Sequence, residues 1–189
     1  DGKQAAHPCD GHAGGEQDAE QENIDQDDAE IAIEQVTFCP PHDGGVGEGL
    51  ILRSNLGDIK GILHRAEGSN QGVIWVCGSI GGFDGPGPGT GARLSEEFRG
   101  QGITSLRLDY REPNALTGCV MDLLAGVTYL QGEGYGPVVV VGHSFGGAVV
   151  VAAGVHSPHV KGVVSLAPQP FGAARVRQLS PRPLLVVHG

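Results

Sequence analysis

The chain has 189 residues, of which 33 are glycine, 18% are charged and 5% are aromatic. That length suits one domain, and without a Gly-X-Y repeat the glycines must serve turns and close backbone approaches. The net charge of −10 is uneven: ten of the 22 acids and one of the twelve bases fall in residues 1–30, so that segment carries −9 and the remainder −1. A near-neutral body excludes a basic nucleic-acid footprint as the main activity. No apolar run reaches the roughly 18 residues that would span a bilayer. The polar, acidic start lacks a signal-peptide pattern. Cys9, Cys39, Cys77 and Cys119 form no CxxC pair, which predicts reduced thiols and a cytoplasmic location. The chain opens with Asp rather than Met, as a processed form or a fragment would.

Residues 1–30 are rich in Gln, Glu, Asp, Gly and Ala, with almost no branched apolar residues. This predicts an acidic disordered tail, because so little apolar burial cannot offset the entropy of ordering. His7-Pro8-Cys9-Asp10-Gly11-His12 groups several metal-ligand types but lacks a fourth strong ligand and a scaffold, so no metal is expected.

A domain is expected over residues 31–189. Ile31 to Phe38 alternates as a half-buried strand should. Leu50–Arg53 and Asp58–His64 flank Ser54-Asn55-Leu56-Gly57 and read as an antiparallel hairpin. Strands and helices then alternate. Val73–Cys77 is a strand, Ala92–Gln101 a helix, and Ile103–Leu108 a strand ending in Asp109. Leu116–Leu130 is an amphipathic helix with Val120, Leu123, Leu124, Val127 and Leu130 on one stripe. Pro137–Val141 is apolar on both faces, as a central parallel strand requires. A helix from Phe145 to Val155, a strand over Val160–Leu166, a short helix over Ala173–Gln178 and a strand over Pro183–Val187 complete the series. The alternation predicts an α/β fold with a mostly parallel central sheet, helices on both faces and antiparallel strands at the N-terminus.

Directly after the Val138–Val141 strand stands Gly142-His143-Ser144-Phe145-Gly146-Gly147, followed by a helix. GxSxG between strand and helix is a nucleophile elbow. A sharp reversal must hold Ser144 at its apex in a strained conformation. Gly142 and Gly146 remove the side chains that would collide across it. The helix N-terminus beside Ser144 offers N–H groups and a positive dipole to a developing oxyanion. A second donor must come from another loop, and Gly78-Ser79-Ile80-Gly81-Gly82 after the Val73–Cys77 strand suits it. The predicted oxyanion donors are the amides of Phe145 and of Ser79 or Ile80.

With these pieces the chain resembles the α/β-hydrolase superfamily, in the style of dienelactone hydrolases and serine aminopeptidases, over about residues 31–189. The resemblance rests on GHSFGG at 142–147, CGSIGG at 77–82, RLDYRE at 107–112 and PLLVVHG at 183–189. It implies a serine hydrolase that cleaves an ester, thioester or small amide through a Ser144 acyl-enzyme, without a cofactor. It also implies a catalytic acid a few residues after the Val187-His188-Gly189 strand end and a histidine after one further strand. Both positions fall beyond Gly189, so the 189 residues are expected to be a truncated domain lacking its final strand, and inactive alone.

Candidates within the chain are weaker. Asp109 and His188 end strands on the catalytic edge, and Asp84 sits in the glycine loop. Asp109 reads foremost as a loop-anchoring acceptor. His143 neighbours the serine but points away from the apex, and His42, His64, His156 and His159 have no partner identifiable in sequence. Pro168-Gln169-Pro170-Phe171 is expected at the pocket rim, with Phe171 as an apolar wall. Ala167 to Arg182 is too short for a large cap, which favours an open pocket and a small-molecule substrate. Two alternatives stand. One is a non-catalytic binding or regulatory module on a hydrolase scaffold. The other is a dinucleotide-binding protein, since Gly87-Pro88-Gly89 with Ala92 gives GxGxxA and Asp109 lies 20 residues past Gly89.

Overall fold

The computed structural model describes residues 30–170 and 173–189. The expected acidic tail, apart from Glu30, the 7–12 ligand group and Phe171 lie outside the described residues. Eight strands form one sheet: β1 (Ile33–Cys39), β2 (Glu48–Ser54), β3 (Gly57–His64), β4 (Gly72–Val76), β5 (Thr104–Asp109), β6 (Val138–His143), β7 (Val160–Leu166) and β8 (Leu184–Val187). Three α-helices accompany them: α1 (Thr90–Gly100), α2 (Leu116–Gly132) and α3 (Phe145–His156). A 3₁₀ helix spans Ala173–Leu179. The spatial order is β1-β2-β3-β5-β4-β6-β7-β8. The first three strands and the β3–β5 pair are antiparallel, and β5 through β8 are parallel. The expected α/β architecture is therefore present, with its antiparallel strands first.

The β2–β3 hairpin closes where local chemistry allows. Gly57 takes φ 122°, and Ser54 Oγ donates to the Gly57 carbonyl at 2.7 Å while accepting from the Leu56 amide at 3.2 Å. Residues alternate across the sheet, so β5 sends Leu106 and Leu108 to one face and Arg107 to the other. On the leucine face, Gly126 of α2 lies so close that an added Cβ would stand 2.7 Å from Leu108 Cδ1 and 3.4 Å from Ile74 Cδ1. Behind β7, Gly154 of α3 is equally tight, 2.8 Å from both Val163 and Leu179 side chains. On the opposite face Phe98 of α1 packs on Trp75 with ring centroids 5.6 Å apart.

The amphipathic stripe predicted for α2 is too narrow. Cys119, Asp122, Ala125, Gly126 and Tyr129 are buried along with Val120, Leu123, Val127 and Leu130, while Leu124 is only partly buried, because α2 packs on α3 as well as on the sheet. Asp122 is held in that interior by Arg111, whose Nε lies 2.5 Å from Oδ1 and whose amide donates to Oδ2 at 2.9 Å. At the far side of the sheet, β8 leaves Leu185, Val186 and Val187 half-exposed. Among the described residues no helix is long and apolar enough to cross a membrane.

The α1 face has a polar heart. Arg107 is 1% exposed, a rare state for a guanidinium. Its Nε donates to His64 Nε2 at 3.1 Å and its NH1 to Asp43 Oδ2 at 2.6 Å. Since Nε2 accepts, the imidazole proton sits on Nδ1, 2.6 Å from Glu96 Oε1. One buried chain of hydrogen bonds thus joins β5, β3, the loop after β1 and α1. The guanidinium also lies 6.0 Å over the Phe83 ring, which stacks on His42 at 5.9 Å. Three histidines expected without partners are in fact held: His64 here, His42 by the Leu50 carbonyl at 3.0 Å, and His159 by Gln131 at 2.7 Å. The partners of His64 and His159 lie 28 or more residues away, too distant for any local pattern to reveal.

Burial holds the His64 imidazole below its ordinary pKa of 6.5, and the charge of Arg107 acts in the same direction, while Glu96 opposes them. Below pH 6.5 the unfolded imidazole gains a proton that the folded one still refuses. This contribution to stability is therefore fully present above pH 6.5 and is lost as pH falls through the lower folded value. Denaturant unfolding between pH 7.5 and 5 is expected to show decreasing stability, with a shallower slope in His64→Gln. Equal slopes in the two proteins would refute the assignment.

Candidate active site

β6 ends at His143 and α3 begins at Phe145, so Ser144 alone makes the reversal. It adopts φ 56° and ψ −116°, a conformation that costs a side-chain-bearing residue about 1–3 kcal/mol. The surroundings impose it. The Ser144 amide donates to the Leu166 carbonyl at 2.8 Å. Its carbonyl accepts from Gly147 at 2.9 Å and from Gln169 at 3.3 Å. The expected rim segment thus does lie against the elbow. The glycines are needed for space. A Cβ on Gly142 would strike the Gly146 carbonyl, and one on Gly146 would strike the carbonyl of Cys77. One on Gly147 would stand 2.8 Å from Ser165 Oγ, which itself donates to the Gly147 carbonyl at 2.9 Å.

The glycine loop lies beside the serine. An added Cβ on Gly78 would meet Ser144 Cβ at 3.7 Å. Gly78-Ser79-Ile80-Gly81 forms a turn, closed by the Gly81 amide on the Gly78 carbonyl at 3.0 Å. Gly81 and Gly82 take φ 71° and 90°. Ser79 is exposed and Ile80 is 91% exposed, so this turn stands open at the surface. Asp109 Oδ1 accepts from the Gly82 amide at 2.6 Å. The neighbouring Tyr110 is buried; its hydroxyl donates to the Cys77 carbonyl at 3.3 Å, and its ring meets Phe145 edge-on at 6.1 Å. Burial pushes the Tyr110 phenol far above its usual range, so it remains a donor. Burial likewise raises the Cys77 thiol, whose Sγ accepts from the Gly85 amide at 3.1 Å.

Ser144, Phe145, the 78–82 turn, Asp109 and Gln169 are therefore gathered at one edge of the sheet. Two other sequence candidates leave the same edge but have no hydrogen bond to Ser144 or to the 78–82 turn. Asp84 Oδ1 accepts from the Gly89 amide at 3.1 Å and its carbonyl from Gly91 at 2.7 Å, which ties the loop to the start of α1. His188 is exposed beyond β8. Among the described residues no histidine hydrogen-bonds to Ser144. No group of three or more His, Cys, Asp or Glu residues among them could hold a metal ion. Tyr110 was not singled out in sequence, although its place after Asp109 within RLDYRE was the available signal.

No family model and no curated protein matches the sequence. Solved structures do match in shape. An alpha-beta serine hydrolase homologue from Coxiella burnetii superposes with a TM-score of 0.60 at 20% identity, covering 77% of this chain and 74% of that one. The chain has the α/β-hydrolase fold. An α/β serine hydrolase without lid from Xanthomonas campestris matches with a TM-score of 0.52 at 17% identity, over 74% of this chain and 83% of its own. Est1E from Butyrivibrio proteoclasticus matches with 0.52 at 19% identity, over 76% of this chain and 54% of its own. The chain spans about half the length of Est1E and of some other solved structures that it matches.

Gly146→Ala places a methyl group against a backbone carbonyl that belongs to another strand. The variant is expected to lose about 1–3 kcal/mol of unfolding free energy, read by denaturant titration. An unchanged midpoint would show that the β4 end yields easily.

Proposed function

We propose that this chain carries the nucleophile and oxyanion site of a serine hydrolase, within a single hydrolase-type domain over residues 31–189. The observation that carries the reading is Ser144 at φ 56° on a one-residue strand-to-helix reversal, flanked by glycines at which an added Cβ would strike a backbone carbonyl. A hydroxyl presented this way is a nucleophile geometry rather than an incidental serine turn. In this reading Ser144 Oγ attacks an ester, thioester or small amide carbonyl, the alcohol, thiol or amine departs with the proton taken from Oγ, and water then hydrolyses the acyl-enzyme to the acid. Negative charge develops on the carbonyl oxygen. The amide of Phe145 and those of Ser79 or Ile80 would stabilise it, with the α3 dipole adding to the field. The general base comes from outside the described residues, since none of the described imidazoles reaches Ser144.

The connection from β7 to β8 supports an open pocket, because among its described residues it holds only the short helix of Ala173–Leu179. This favours compact acyl groups. Cys39, Cys77 and Cys119 are free thiols, which fits a reducing, cytoplasmic compartment. The second reading, a binding module on this scaffold, draws on the missing contact between Ser144 and a histidine. A fluorophosphonate probe on the full-length protein separates the two. Labelling is expected at Ser144 and should vanish in Ser144→Ala. Nitrophenyl acetate or butyrate should be cleaved faster than the palmitate. Absence of labelling leaves the binding module standing, and preference for the palmitate would contradict the open pocket.

A further inference from the structure

The proposed oxyanion donors belong to two separate pieces of chain, which meet directly only at their roots, where Gly146 packs on the Cys77 carbonyl and Gly78 faces Ser144. One piece is the turn at Ser79 and Ile80, which is exposed and glycine-flanked. The other is the first residue of α3. The end of β5 lies next to both, because Leu108 pairs with Val76 at the end of β4. Successive residues of a strand project to opposite faces, so Asp109 and Tyr110 leave β5 in different directions.

We propose that Asp109 and Tyr110 are positioning residues, a two-sided brace that holds the glycine turn and the serine elbow at a fixed separation. The proposal rests on the serine-hydrolase reading. Asp109 grips the turn. Its carboxylate accepts from the Gly82 amide at 2.6 Å, the short length of a charge-assisted bond. The contact is close enough that a Cβ on Gly81 would stand 2.6 Å from Oδ1 and 2.9 Å from Pro113 Cγ. Tyr110 grips the elbow. Its hydroxyl bonds the Cys77 carbonyl, the same carbonyl against which Gly146 is packed, and its ring touches that of Phe145. Tyr110 therefore contacts the root of the glycine turn and the first residue of α3 together. A ligand that bridges both donors gains from the brace only when its oxygen carries charge, so the effect should fall on turnover rather than on substrate binding.

The test measures kcat and KM for nitrophenyl acetate on the full-length protein and its variants. A donor misplaced by 1 Å can cost about 100-fold. Asp109→Ala is accordingly expected to lower kcat by roughly tenfold or more, with KM changed by less than about twofold. Asp109→Asn retains an acceptor for Gly82 and should recover most of that loss. Tyr110→Phe keeps the ring, loses the hydroxyl and should lower kcat by about threefold. A kcat unchanged in Asp109→Ala overturns the brace, as does a loss that lies in KM alone. If Asp109→Ala does not fold, Tyr110→Phe decides: an unchanged kcat overturns the proposal. If the full-length wild-type protein neither turns over ester nor takes the fluorophosphonate probe, the nucleophile reading has failed, and the brace is read by amide hydrogen exchange. Faster exchange at Gly81 and Gly82 in Asp109→Ala than in wild type then supports it, and unchanged exchange in Asp109→Ala overturns it.

Discussion

The organisation of this protein depends on one close approach of backbone to backbone. At the end of β4 the Cys77 carbonyl lies against Gly146, and across the reversal the Gly146 carbonyl lies against Gly142. With no Cβ at either glycine, α3 can leave the sheet at once and run back over β6 and β7. That geometry forces Ser144 into its positive-φ conformation, and three backbone hydrogen bonds from Leu166, Gly147 and Gln169 hold it there. The strain is local, whereas its support is distributed over β7 and the segment that follows. A strained residue survives only when its neighbours over-determine it, and here they do.

The second organising element is electrostatic. Arg107 carries its charge into the α1 face, and Asp43, His64 and Glu96 complete a chain of short hydrogen bonds around it. Removing a partner from a buried charge costs about 3–5 kcal/mol, so such a cluster is an all-or-none feature. It also connects to the site. Phe83 lies between Arg107 and His42 and belongs to the same loop whose opening turn borders Ser144. Asp109 then fastens the Gly82 end of that turn, and Asp84 fastens its far end to α1. A loop with many glycines and little apolar mass is ordered from its flanks, by polar contacts from β5 and α1, rather than by a core of its own.

Much of this was legible in the residues alone. The uninterrupted valines of β6 announced a strand covered on both faces, and the hairpin at Asn55-Leu56 announced itself by Gly57. The elbow was legible because its serine and its glycines lie within six consecutive residues, Gly142 to Gly147. Other features were not legible. The width of burial on α2 depends on α3, which begins 13 residues after α2 ends. The partners of His64 lie 32 and 43 residues away. Nothing about an isolated histidine, arginine or glutamate in sequence says that two strands and a helix will bring them together.

By itself the sequence determined the period and order of strands and helices, the position of the reversal and the residue at its apex. These follow from side-chain alternation and from the space a glycine leaves, both local properties of the chain. Only the tertiary structure decided what each polar group does. It gave Asp109 to the Gly82 amide, Asp84 to the start of α1 and Tyr110 to the seam between turn and elbow, while leaving His188 in solvent. The physical reason is that a hydrogen bond is worth making only between groups that folding has brought within about 3 Å, and sequence separation carries no information about that distance.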